Sequence, residues 1–171
     1  VSFKLEEVEG VGTYVFNSKD LNLASYINQL IESDCIDAVK IEGRTKSIYY
    51  AGVTAKTYRM AIDDYNNNQY DISKYQDMLN TTKNRGFTDA YLISRPFEKR
   101  NTQNHQSAMS KSISYEVAGI VCEDEKHFLC KYKIYPNDEI EIFAPADVEI
   151  ECIDNEIGTI YKKDDVYMVK F

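Results

Sequence analysis

The sequence predicts an α+β chain with two regions, an α/β portion over residues 1–94 and a small antiparallel β-barrel over residues 113–171. The first region shows apolar residues at three- and four-residue intervals, which is typical of amphipathic helices. After Ser112 the period changes to two, as expected for strands with one buried face. A polar stretch without a period, residues 95–112, lies between them and is predicted to be a linker or mobile loop.

Helices are predicted in the first region from about Asp20, from Ser47 to about Tyr65, and from Ile72 to about Lys83. Asp20 is a plausible N-cap for the first of them. The second has the clearest pattern, with one apolar stripe formed by Ala51, Ala55, Tyr58, Ile62 and Tyr65. The third is expected to pack through Tyr75, Met78 and Leu79. Two strands, Val11–Phe16 and Ala38–Ile41, are predicted to precede the first two helices.

The second region alternates apolar and polar residues over several short runs bounded by turn residues. Such a pattern indicates a small antiparallel barrel. The predicted strands are Tyr115–Val121, Phe128–Ile134, Ile140–Phe143, Val148–Cys152, Gly158–Tyr161 and Val166–Val169.

Charge and hydropathy limit the classes of function. With a net charge of -8, the surface as a whole is not built to bind phosphate backbones, although local clusters could. The second region is acidic, but it retains a basic edge made of Lys131, Lys133, Lys162 and Lys163. No apolar run reaches the roughly 20 residues of a membrane span, so we expect no membrane contact. Cysteines without a paired spacing are typical of a reducing compartment, so we expect a cytoplasmic protein, with secretion of the full-length protein left open.

The cysteines and histidines do not suggest a metal site. Cys35, Cys122, Cys130 and Cys152 are widely spaced, with no C-x-x-C pair and no histidine at ligand spacing. We therefore expect free, buried thiols that pack as small apolar side chains, two of them in the barrel core, and no metal. His105 and His127 are expected to be solvated or structural side chains.

The candidate site is the segment Lys40–Ser47, where a predicted strand ends and a loop leads into a helix. Lys40 and Glu42 are two residues apart and would project to the same side of a strand. Arg44 supplies a forked cation, and the helix start at Ser47 adds free N–H groups. With Lys19 and Lys46, these groups would surround an anion-binding pocket. The alternative is a surface salt-bridge set in which Ser47 is an ordinary helix cap.

Several blocks of the chain resemble peptidase family U32, the collagenase-like peptidases. These are Gly12–Leu21, reading GTYVFNSKDL; Asp37–Tyr50, reading DAVKIEGRTKSIYY; the helix Thr54–Tyr65; the turn Arg85–Thr88; and the strands from Tyr115 to Phe171. The resemblance extends from about Gly12 to Phe171. Asp89-Ala90-Tyr91 departs from the ending that the family has after this turn.

The resemblance implies the C-terminal βα pieces of a TIM-barrel-like catalytic domain, with its closing helices, followed by a C-terminal β-barrel domain. The first hypothesis is a C-terminal fragment of a peptidase, inactive without its missing N-terminal catalytic portion, in which Lys40, Glu42 and Arg44 contribute to catalysis and Lys19, Lys46 and Ser47 bind an anion or substrate. The substrate would then be a protein.

The resemblance also implies an alternative, because relatives of the family act in tRNA uridine hydroxylation and carry cysteine-ligated iron–sulfur clusters. The chain would then be a portion of such a protein, with a tRNA substrate and with the barrel as an RNA- or partner-binding module. The cluster signature lies upstream in the family, and Asn22 stands where many members have a cysteine, so no cofactor is expected in this chain. Exposed strand edges leave a homo-oligomer open.

Overall fold

The computed structural model describes residues 6–10, 12–14, 18–93, 102–104, 115–124, 127–145, 149–152, 154, 158–163 and 166–170. The chain divides into two compact units, Val1–Tyr115 and Glu116–Phe171. All the strands are short, and the helices found among the described residues lie in the first unit. Of the predicted linker over 95–112, only residues 102–104 fall within the described ranges, so its character stays a prediction.

The first unit begins with a hairpin, β1 (Glu6–Val8) and β2 (Gly12–Tyr14). A second pair of strands, β3 (Asp20–Leu21) and β4 (Phe87–Thr88), is parallel. Parallel strands need a long crossover connection. Here the crossover contains a 3₁₀ turn and three helices: Ala24–Tyr26, α1 (Ile27–Glu32), α2 (Ile48–Asn66) and α3 (Ile72–Asn80).

Helix α2 confirms the predicted start and part of the predicted buried face, since Tyr58 and Ile62 pack against the core. The Ser47 hydroxyl accepts a hydrogen bond from the Tyr50 amide at 3.1 Å, as an N-cap does. Ala51 and Ala55 are exposed, and the buried residues are Val53, Thr54, Thr57 and Ala61. The Thr57 hydroxyl donates to the Val53 carbonyl at 2.8 Å, which lets a polar residue be buried. A pattern counted from apolar residues alone misses such a face.

Helix α3 supplies the largest buried side chain of the core. Tyr75 and Leu79 are buried as predicted, and they pack with Ala24, Ile27 and Ala61 from the other helical segments. The Tyr75 hydroxyl donates to Asp64 at 2.9 Å, and burial raises the pKa of this phenol to about 12, so it remains a neutral donor. The helix ends at Asn80, earlier than predicted.

Two local predictions in the first unit were wrong. Ala38–Ile41 is not a strand, because no described residue pairs with its backbone. Its side chains are exposed. Asp20 does not cap a helix but lies in β3, since its carboxylate is bound by two cations of other segments. Of the predicted strand Val11–Phe16, residues 12–14 form β2 and the remainder lies outside the described residues.

The second unit contains short antiparallel sheets. β5 (Gly119–Val121) pairs with β6 (Phe128–Cys130). β7 (Glu139–Ile142) and β8 (Thr159–Lys163) flank β9 (Val166–Lys170). In the stretches of chain that the structure describes, these sheets do not close into a barrel, and residues 149–152 form no strand.

The prediction that the cysteines are buried was also wrong. Cys35, Cys122, Cys130 and Cys152 are free, and all of them are exposed. Cys130 illustrates the reason, because it lies on β6 of a two-stranded sheet, and a sheet buries one of its faces only where another layer covers it. The alternation of residues predicts a strand with one buried face over Phe128–Ile134, but only Phe128–Cys130 is a strand, and Leu129 and Cys130 are both exposed because no opposing layer is seen among the described strands.

We expect Asp71→Ala to destabilise the first unit in a pH-dependent way. Asp71 caps α3, and its hydrogen bonds from the Ser73 hydroxyl and from the backbone of Lys74 and Ser73 lower its pKa below the ordinary 3.8. A lowered folded-state pKa stabilises the folded state above the unfolded-state value and loses this effect as the pH falls through the folded-state value.

The urea midpoint of Asp71→Ala should therefore lie below that of the original protein at pH 7, and the difference should shrink below about pH 3.8. Asp77→Ala is the matched control, because Asp77 is an exposed acid within the same helix that caps nothing. A difference between the original protein and Asp71→Ala that does not change with pH would contradict the cap.

Candidate functional site

A buried carboxylate on β3 is the centre of the site. Asp20 is only 7% exposed. One of its oxygens lies 2.6 Å from the Lys46 ammonium. The other accepts from Nε and Nη2 of Arg85 at 3.2 and 3.1 Å. Both carboxylate oxygens are thus paired with cations, as burial of a charge requires.

The two cations come from different places in the fold. Lys46 stands directly before Ser47, the N-cap of α2, and its amide donates to the Gly43 carbonyl at 2.9 Å. Arg85 stands directly before Gly86, which leads into β4. The Asp20–Lys46–Arg85 cluster therefore joins the start of α2 to both strands of the parallel pair. Since it contains two cations and one anion, its formal charge is positive in an otherwise acidic chain.

An aromatic ring covers one side of this cluster. The Lys46 ammonium lies 4.7 Å from the centre of the Tyr50 ring, which is the geometry of a cation–π contact. Burial, and secondarily the nearby Asp20 carboxylate, raises the pKa of the Tyr50 phenol. Tyr50 therefore stays neutral near pH 7 and adds no negative charge beside Lys46.

Gly86 precedes β4 and takes part in its pairing with β3. Its carbonyl accepts from the Asp20 amide at 2.8 Å, and the Thr88 carbonyl accepts from the Asn22 amide at 2.9 Å. Gly86 has a φ of +87°, which favours glycine. A Cβ there would only touch Lys19 Cε at 3.6 Å, so the constraint is conformation and not space. The methylenes of Lys19 lie over this glycine.

An open cavity of about 350 Å³ lies where the parallel strands end. Asn22 follows β3 and Asp89 follows β4, and ligands of α/β folds commonly bind at the carboxyl ends of parallel strands. The Tyr26 hydroxyl donates to Asp89 at 3.1 Å. The lining is mostly polar and consists of Lys19, Asn22, Ser25, Tyr26, Gln76, Phe87, Thr88 and Asp89.

The residues singled out from sequence fall in different environments. Lys46 belongs to the Asp20 cluster, Lys19 lines the cavity, and Ser47 caps α2. Lys40 and Glu42 form an ion pair at 2.9 Å with side chains 86% and 71% exposed, as in the surface salt-bridge alternative. Exposed pairs of this kind contribute little to stability. Arg44 is exposed and forms no ion pair with any described residue.

Sequence reasoning misses the two most important members of the cluster. It interprets Asp20 as a helix cap, and it places Arg85 only within an R-G-F-T turn. Arg85 and Asp20 lie 65 residues apart, so no local periodicity connects them. No other signal in the sequence points from one of these residues to the other.

The described residues do not fit a metal or cluster site. Within the described ranges, no three His, Cys, Asp or Glu side chains lie close enough together to hold a metal ion. His127 pairs with Asp124 at 2.6 Å on the surface, and the cysteines are exposed and apart in sequence. Ligands for an iron–sulfur cluster would have to come from other residues.

The family model of peptidase family U32 matches residues 2–102, more than half of the chain. The chain therefore belongs to peptidase family U32, as its motifs predicted. A relative named tRNA hydroxylation protein P from Helicobacter pylori (strain ATCC 700392 / 26695) is 51% identical over 161 residues, which are 94% of this chain and 38% of that protein.

Two further relatives carry two different names. The tRNA hydroxylation protein P of Escherichia coli (strain K12) is 33% identical over 86% of this chain and 33% of its own length. A collagenase of Porphyromonas gingivalis is 28% identical over 91% of this chain and 46% of its own length. The chain thus spans less than half the length of these relatives, and no solved structure matches it. No helix among the described residues is long and apolar enough to cross a membrane.

We expect Asp20→Asn to lower the free energy of unfolding by about 1.5 to 3 kcal/mol, because hydrogen bonds to charged groups contribute on this scale. The variant keeps the shape of the side chain but leaves Lys46 and Arg85 without their anion. Asp63→Asn is the matched control, since Asp63 forms an exposed ion pair with Arg59, and it should change stability by less than about 1 kcal/mol. Equal urea midpoints for the two variants would contradict a structural role of the Asp20 cluster.

Proposed function

We propose that this chain is the C-terminal portion of a tRNA uridine hydroxylation protein. The observation that carries the proposal is the 51% identity, over 94% of the chain, with a relative named for tRNA hydroxylation. The collagenase relative is 28% identical over a similar stretch. This difference favours RNA modification over the peptidase hypothesis, which the motifs alone place first. Such a protein would act in the cytoplasm, where tRNA is found.

In this proposal the first unit supplies the last βα pieces of a TIM-barrel-like catalytic domain. The parallel pairing of β3 with β4 supports it, because the strands of such barrels are parallel. The exposure of Val39 and Ile41 supports it as well. Exposed apolar side chains outside any helix or strand would be covered by an N-terminal catalytic portion, which would also carry any iron–sulfur cluster.

Arg44 is proposed to contact a phosphate or carboxylate of the substrate. Its planar guanidinium matches two oxygens at once, and it is exposed without an ion pair to any described residue. Lys46 would act indirectly, since its contact with Asp20 and its backbone bond to Gly43 hold the turn that contains Arg44. Lys19, in the cavity wall, would be a second anion contact, and Lys40 and Glu42 would flank the same loop.

The peptidase hypothesis remains the second candidate, because the collagenase relative aligns over 91% of the chain. Both candidates can be tested on one preparation. The longer protein that contains this chain would be expressed in Escherichia coli lacking its own tRNA hydroxylation protein P, and bulk tRNA nucleosides would be analysed by mass spectrometry. We expect hydroxylated uridine to return. Cleavage of gelatin by the purified protein, without return of the nucleoside, would support the peptidase instead.

Arg44→Lys in that longer protein should lower hydroxylation about ten- to a hundredfold, because one charge-assisted contact contributes roughly 1.5 to 3 kcal/mol. Stability should not change, since Arg44 is exposed. Arg59→Lys is the matched control, an exposed arginine whose partner Asp63 lies on the same helix. Full activity of a normally folded Arg44→Lys protein would remove Arg44 from the site.

A further inference from the structure

The second unit exposes a short segment in which lysines and tyrosines alternate. Residues 131–135, reading KYKIY, connect β6 to β7, and we name them the Lys–Tyr segment. Lys131 and Lys133 are exposed, and Tyr132 and Tyr135 are 51% and 60% exposed. Two large aromatic rings and two cations therefore face solvent within five consecutive residues.

The backbone holds this segment at both ends. The Lys131 amide donates to the Ala118 carbonyl at 2.7 Å, which extends the pairing of β5 with β6. At the other end the Tyr135 amide donates to Asp138 Oδ2 at 2.7 Å, and the Asp138 amide donates back to the Tyr135 carbonyl at 3.0 Å. The rings are thus presented from a fixed turn, which reduces the entropy that a bound partner must remove.

The side chains of the segment are available for a partner. Neither lysine ammonium and neither tyrosine hydroxyl forms a hydrogen bond or ion pair with a described residue. Lys162, by contrast, lies 5.5 Å from the centre of the Tyr167 ring. The nearest acids in sequence are engaged, since Asp138 binds the Tyr135 amide and Glu139 accepts from the Tyr161 hydroxyl.

We propose that the Lys–Tyr segment binds single-stranded RNA, with the tyrosine rings stacked on bases and the lysines placed against phosphates. This proposal rests on the proposed function. It goes further by naming the surface that binds the RNA and the form of RNA that is bound. Aromatic rings alternating with cations are the features that bind single strands without strong sequence preference. A duplex offers no unstacked bases to such rings. An acidic peptide would pair with the lysines but would leave both rings without a flat partner.

The test is fluorescence anisotropy of a labelled single-stranded RNA of about 12 nucleotides, within the range of site sizes for such proteins. The 171-residue chain would be titrated against this RNA, a duplex of equal length and a polyglutamate peptide. We expect the single strand to bind most tightly. Tyr132→Ala and Tyr135→Ala should each weaken binding about 5- to 150-fold, the effect of losing one stacked base, while Tyr132→Phe retains it.

Matched controls distinguish this surface from general exposure. Tyr91→Ala removes a tyrosine of the first unit that is also 51% exposed, and should leave RNA binding unchanged. Lys131→Gln and Lys133→Gln should each reduce the slope of log affinity against log salt by about 0.7, the value for one phosphate contact on a single strand. Lys74→Gln should not, because Lys74 lies on α3 of the first unit and is paired there with Asp64.

Several results would overturn the proposal. One is that both tyrosine-to-alanine variants bind the single strand as tightly as the original protein, with unchanged urea midpoints. A second is that the duplex binds as tightly as the single strand. A third is that polyglutamate binds more tightly than the single strand, which would identify an acidic-peptide surface. Return of hydroxylated uridine with an intact protein that lacks this RNA binding would overturn the surface and keep the proposed function. If the segment binds RNA but no hydroxylated uridine returns, the proposed function would be overturned and the RNA-binding surface would be kept.

Discussion

The salt bridge of the buried Asp20 with Lys46 and Arg85 is the interaction on which the first unit depends. It joins residues separated by 26 and 65 positions in the chain, and so brings together the strand β3, the start of α2 and the turn into β4. β3 and β4 share only two residue pairs, too few to hold a parallel sheet by backbone bonds alone. The ion pairs of Asp20 therefore help to hold β3 beside β4.

The helices between the strands complete this arrangement from the other side. Ala24, Ile27, Ala61, Tyr75 and Leu79 form the core cluster, and Phe87 of β4 packs against it. The Tyr58 hydroxyl accepts from the Leu23 amide at 2.8 Å, which fixes the chain as it leaves β3. The cavity at the strand ends is therefore bounded by elements that are each held by packing or by a hydrogen bond.

Local and long-range features of this chain differ in how well the sequence predicts them. α2 and α3 follow from caps and helical periodicity, which lie within a few residues of each other, and Ser47 and Asp71 cap them. The Lys40–Ser47 motif identified the family. The strand predicted at its beginning, Ala38–Ile41, is absent, because a strand needs a neighbouring strand to pair with. The Asp20–Arg85 contact could not be predicted, since nothing in either local pattern indicates the other residue.

The same contact separates structural cations from available ones. Lys46 and Arg85 already share a buried anion, so their charge mainly stabilises the fold, whereas Arg44, Lys131 and Lys133 are exposed without an ion pair to any described residue. In a chain with a net charge of -8, long-range attraction does not bring a polyanion to the surface. The proposed contact with RNA therefore depends on a few cations placed beside rings that would stack on bases, because stacking is not weakened by the acidic surroundings in the way that charge attraction is.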